Sequence, residues 1–119
     1  MRLIPIYDET APIACTLTDA EKPERIAQVE RMRANLGRLE RTEHGIRLHF
    51  PRRDDVEADV RQFAVDEQRC CQFWGFEVHS DAHSVALRWD GPPAAAELID
   101  RIVDYFEGDA PLTEISGLL

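Results

Sequence analysis

Glu67, Cys70 and Cys71 form a Glu-x-x-Cys-Cys motif that runs directly into Phe73-Trp74-Gly75-Phe76. Thiolates select zinc, copper(I) and softer ions, and a carboxylate one helical turn away can add a ligand, orient the others or pass a proton. Upstream, Val56, Val60 and Phe63 define an apolar stripe that Glu67, Cys70 and Cys71 continue at about 100° per residue. The acid and both thiols are therefore expected against the core. A carboxylate there is costly unless paired or protonated, and Arg69, Arg88 or backbone N–H groups are its expected partners.

Adjacent cysteines make poor disulfide partners, because neighbouring Cα atoms lie only about 3.8 Å apart, so Cys70 and Cys71 read as two separate thiols. The third cysteine, Cys15, precedes a predicted helix, whose N-terminal dipole favours a thiolate and makes Cys15 the most reactive of the three. At the C-terminal end of their own helix, Cys70 and Cys71 need a metal or a cation such as Arg69 to ionise. The candidate site is accordingly Cys15, Cys70, Cys71 and Glu67, supported by Arg69. Zinc, mercury, copper or arsenite are the ligands this chemistry suits. Two other readings compete with it. Free cysteines often pack as small hydrophobes, which would leave an interaction module, or Cys15 could be the nucleophile of a small thiol enzyme with Glu67 as acid or base. No CxxC, HExxH, P-loop or dinucleotide fingerprint is present, and His79 and His83 flank a turn predicted to lie away from the thiols.

The elements that must position these groups follow from periodicity. Pro12 to Leu17 reads as a short first strand, and Thr18-x-x-Glu21 as a capping box opening a helix, with Pro23 blurring its start. Ile26, Val29, Met32 and Leu36 share one arc of that helix, while Glu24, Arg25, Arg31 and Arg33 fall mostly outside it. From Arg38 to Phe50 the period changes to two, with a turn at Glu43-His44-Gly45. Asp54 or Asp55 caps the next helix, which runs to about Cys71. A second hairpin pairs Trp74, Phe76 and Val78 with Val85, Leu87 and Trp89; Gly91-Pro92-Pro93 then precedes a last helix carrying Leu98, Ile99, Ile102 and Phe106.

This order predicts an α+β fold: a ferredoxin-like β-α-β-β-α-β unit plus an extra strand and helix, about five antiparallel strands with helices on one face. Such a topology carries Cys15, Cys70 and Cys71 to one edge of the sheet. Residues 20–50 also echo 54–89 as a faint helix-hairpin repeat. On the face away from the helices, Phe73 would stand beside Arg47, His49, Glu77, His79 and Arg88, a mixture that reads mainly as a solvated surface, with a homodimer interface or a ligand groove as the alternative.

With 119 residues the chain is expected to hold one domain (12–107) between an extended arm (1–11) and a loosely held tail (108–119). Its 14 basic and 23 acidic residues give a net charge of −9 with no basic run, which argues against nucleic acid and against an anionic membrane as partners. No apolar stretch has the length of a signal peptide or a membrane span, so a cytoplasmic location with three reduced thiols is expected.

The Cys15-Thr16-Leu17 segment, the Glu67-x-x-Cys70-Cys71-x-Phe73-x-x-Phe76 motif and Trp89-x-Gly91-Pro92 together resemble a small bacterial family of stand-alone domains without an assigned activity. Similar segments occur beside, or appended to, regulators of the mercury-responsive type. The resemblance spans residues 12–106, with Trp74 standing where relatives carry a smaller aliphatic residue. It implies heavy-metal or thiol-linked biology and carries no catalytic assignment. No DNA-binding helix pair accompanies it.

Overall fold

Alternation of apolar and polar residues over 45–51 and 84–90 gives two strands whose inner faces are Ile46, Leu48 and Phe50 and Val85, Leu87 and Trp89, all essentially buried. These strands form the centre of the molecule. The computed structural model describes residues 6–108, in the order α1 (Lys22–Asn35), β1 (Arg38–Arg41), β2 (Gly45–Pro51), α2 (Asp54–Cys70), β3 (Gly75–Ser80), β4 (Ser84–Asp90), a 3₁₀ turn at Pro93–Ala95 and α3 (Ala96–Glu107). The sheet runs β1-β2-β4-β3, antiparallel throughout. Val29 and Met32 of α1, Val56, Val60 and Phe63 of α2, and Ile102 and Phe106 of α3 join its inner face in one core.

The α+β class and both hairpins therefore form as expected, but among the described residues the sheet has four strands, and their order is not ferredoxin-like. Residues 12–17 form no strand. Their backbone finds its partner elsewhere: Thr16 N–H donates to the Cys70 carbonyl at 2.8 Å, so the segment lies as a strap across the end of α2. The predicted tail beyond Gly108, and the first five residues of the predicted arm, fall outside the described residues.

The helix-hairpin echo has a structural counterpart. A shift of 39 residues carries the pair Arg38↔His49 onto Glu77↔Arg88, and carries Leu48 onto Leu87, its own partner at the middle of the β2–β4 seam. The turns match as well, since Thr42 N–H donates to the Gly45 carbonyl and Asp81 N–H to the Ser84 carbonyl, each at 2.9 Å. The hairpins are related by a pseudo-twofold axis through that seam.

Helix boundaries depart from the expected caps in instructive ways. Thr18 and Glu21 do meet, Glu21 Oε1 accepting from Thr18 N–H at 3.1 Å and from its hydroxyl at 2.8 Å. They close a turn ahead of the helix, which begins at Lys22 with Pro23 in its first turn. The N-cap of α2 is Arg53 rather than either aspartate, and Asp54, Asp55 and Glu57 fill the first turn, where the helix dipole favours acids.

After α2 the chain turns through residues 71–74 before β3 begins at Gly75. Trp74 meets Trp89 at 5.5 Å between ring centroids, and Phe73 lies against Trp74 at 4.4 Å. Phe73 is buried, 1 % exposed, and does not stand on the outer sheet face. That face keeps Glu40, Arg47, His49, Glu77, His79 and Arg88, with Glu40 beside His49 at 2.8 Å and Arg47 at 3.6 Å.

Gly75 is where the N-terminal segment crosses the sheet: a Cβ here would lie 2.2 Å from the Ile6 carbonyl oxygen and 2.6 Å from the Tyr7 nitrogen. Both are backbone atoms, so the chain itself must move. Gly75→Ala is therefore expected to lift the segment around Ile6 and to lower stability by about 1–3 kcal/mol. Limited proteolysis and urea unfolding check this, and unchanged protection at residues 6–7 would contradict the contact.

Candidate functional site

Helical phase delivers Glu67 to the interior, as the stripe requires: it is 0 % exposed. Its partner, however, is neither Arg69 nor Arg88. Arg25, on α1, is itself buried, and its Nη1 donates to Glu67 Oε1. The rest of that guanidinium is also used, Nε donating to Gln28 Oε1 at 3.1 Å and Nη2 approaching Cys70 Sγ at 3.6 Å. Gln28 in turn donates to Asp66 at 2.9 Å, so α1 and α2 meet through a chain of polar contacts inside the fold.

The three cysteines divide into a pair and a single thiol. Cys15 and Cys71 are joined in a disulfide, with Cα atoms 4.3 Å apart, which replaces the expected set of three reduced thiols. Cys70 is a buried free thiol. Adjacent in sequence, Cys70 and Cys71 thus act separately, Cys70 toward Arg25 and Cys71 toward the strap. The dipole argument for Cys15 does not hold, because α1 begins at Lys22 and Cys15 sits on the strap instead. Thr16 fixes that strap, its N–H and its hydroxyl both donating to the Cys70 carbonyl, the second at 3.2 Å.

Cys15 Sγ, Cys71 Sγ and a Glu67 carboxylate oxygen all lie within 4.8 Å of one another. Cys70 does not belong to this group. Arg69 lies apart from it too, 69 % exposed in its side chain and paired with Asp66 at 3.4 Å. Of the expected site residues, the fold gathers Cys15, Cys71 and Glu67, places Cys70 on the Arg25 side and leaves Arg69 on the surface. Arg25 is the residue that sequence reasoning missed. Its one visible signal was its helical phase, which falls between those of Met32 and Leu36 and so within the apolar arc.

Burial pushes the Glu67 carboxyl up from its ordinary 4.5 to about 7, against the opposing pull of the Arg25 charge and hydrogen bond. The Trp74 indole adds a smaller pull of the same sign as Arg25, although neither its Nε1 nor Glu67 Oε2 reaches hydrogen-bond geometry with any described residue. The result is a carboxyl that changes charge near neutrality beside two sulfurs. Such a group can ligate an ion when ionised and hold a proton when not.

No protein-family model matches this chain, and comparison with curated proteins and with solved structures returns no significant match. Among the described residues, no helix is long and apolar enough to cross a membrane.

The raised Glu67 pKa has a definite sign in stability. Between pH 4.5 and about 7 the folded carboxyl keeps a proton that the unfolded one has lost, so this group's stabilising contribution is complete below pH 4.5 and declines as pH rises to 7. The decline is on the order of 3 kcal/mol at 1.36 kcal/mol per unit. Glu67→Gln removes the ionisation, and the difference between wild-type and variant unfolding free energies is expected to change over that window and to level off above it. A difference that is flat from pH 4.5 to 7, measured by denaturant unfolding, would refute the raised value.

Proposed function

We propose that the reduced protein binds a thiophilic metal or metalloid ion through Cys15 and Cys71, with Glu67 as the third ligand. The observation that carries this reading is the convergence of the two sulfurs and a buried carboxylate oxygen within 4.8 Å. Two zinc–sulfur bonds of about 2.3 Å at a tetrahedral angle span about 3.8 Å, within the reach of these side chains once the disulfide is opened. Glu67 Oε2, buried and without a hydrogen-bond partner among the described residues, is the kind of atom that a ligated ion satisfies. Arg25 holds the opposite carboxylate oxygen and orients the group, as outer-shell partners do at metal sites. The resemblance to domains found beside mercury-responsive regulators agrees with a soft ion. Zinc, mercury(II), copper(I) and arsenite are the candidates, and their common requirement is two thiolates.

Titration of fully reduced protein with zinc, mercury(II) and arsenite is expected to show one tight equivalent that Cys15→Ser and Cys71→Ser each weaken by at least about tenfold. Cys70→Ser, outside the cluster, is expected to leave it within about twofold. Calorimetry or competition with a chromophoric chelator reads both. Binding that survives the Cys15→Ser/Cys71→Ser double change, or that depends on Cys70 instead, would sink the proposal.

A further inference from the structure

The two sulfurs of the disulfide are not equivalent. Cys71 caps the C-terminus of α2 at 0 % exposure, whereas Cys15 is part-exposed on a strap that has no place in the sheet. We infer that this pair undergoes thiol–disulfide exchange with an external thiol, with Cys15 as the interchange sulfur and Cys71 as the buried partner that leaves and returns.

Exchange requires a thiolate to reach one sulfur of the bond, and access therefore selects which sulfur is attacked. A reagent thiol of the glutathione class loses its proton in water, and its sulfur bonds to Cys15 Sγ. The Cys15–Cys71 bond breaks, its electron pair stays on Cys71 Sγ, and that sulfur takes up one proton, which balances the first step. A second reagent thiol then displaces Cys15 from the mixed disulfide. Two reagent thiols are oxidised to their disulfide, and the protein pair is reduced by two electrons.

Two features suit the pair to reversal rather than to permanent closure. Opening the bond leaves the two Thr16 hydrogen bonds to the Cys70 carbonyl in place as a weaker tether, because neither involves a sulfur. Cys15 is thus kept beside Cys71, and re-closure is intramolecular at high effective concentration. The neighbouring thiol does not compete, since Cys70 Sγ is turned to the Arg25 guanidinium at 3.6 Å and lies outside the Cys15–Cys71–Glu67 cluster. If the same two sulfurs are also the ion ligands proposed above, exchange opens and closes that site. This last link rests on the metal reading; the exchange itself does not.

The test starts from oxidised wild-type protein incubated with reduced glutathione at neutral pH, quenched with acid and mapped by peptide mass spectrometry. Glutathione is expected on the Cys15 peptide in excess of the Cys71 peptide by on the order of tenfold or more. Treated with oxidised glutathione, Cys71→Ser is expected to hold a stable mixed disulfide at Cys15, while Cys15→Ser leaves Cys71 unmodified unless urea is added. Preferential modification of Cys71, or a wild-type disulfide that glutathione opens only after denaturation, overturns the inference. Because the wild-type arm uses no substitution, a variant that fails to fold does not rescue it. The metal titration uses protein reduced beforehand, so a chain that binds ions without exchanging rejects this inference alone, and one that exchanges without binding rejects only the metal site.

Discussion

The contact on which the arrangement depends is the buried pairing of Arg25 with Glu67. Neither group tolerates the interior alone: an isolated carboxylate or guanidinium taken from water loses several kcal/mol of solvation, and close, hydrogen-bonded opposition returns only part of it, since burial still holds the Glu67 pKa at about 7. That requirement fixes how α1 lies against α2. Gln28 and Asp66 extend the contact toward solvent, and farther along the same interface Arg31 meets Asp59 at 3.1 Å. Arg25 thereby holds one carboxylate oxygen, and the second has no hydrogen-bond partner among the described residues.

On the other side of α2 the strap is tied by a covalent bond that spans 56 residues. On a chain-entropy view, closing a loop of that size removes about 4 kcal/mol of unfolded-state freedom. The bond thus does for residues 11–18 what a ladder of hydrogen bonds does for a strand. A domain whose described sheet has only four strands gains from it a cover over the end of α2. The stability of that cover depends on the redox state of the surroundings, whereas the aromatic packing of Trp74, Trp89 and Phe63 beneath the turn does not.

Much of this was legible from periodicity, for reasons specific to each element. Both hairpins announced themselves because one face of each is buried and the other wet, and Glu67 was placed inside because α2 keeps its helical phase to Cys70. The first strand failed because Pro12 to Leu17 has the composition of a strand but docks through Thr16 on the end of α2 rather than on an edge of the sheet, and composition says nothing about where a segment docks. Arg25 was missed because a guanidinium reads as surface until its partner is known, and that partner lies 42 residues away. The choice of Cys15 with Cys71, rather than with Cys70, turned on which side of the last turn of α2 each thiol faces. That is a matter of three-dimensional approach, and spacing in the chain does not encode it.

The pseudo-twofold seam between β2 and β4 has a consequence for how the chain associates. Each half presents the same edge to the other, antiparallel and in matching register, so the seam's hydrogen bonds are satisfied equally whether the two halves belong to one molecule or to two. The two halves are joined by the short passage from Pro51 into Asp54. Lengthening or stiffening that passage shifts the balance between a closed monomer and a reciprocally exchanged pair of chains. The sulfur site draws on both halves, Cys15 preceding α1 and Cys71 following α2, so in such a pair each disulfide would join one chain to the other.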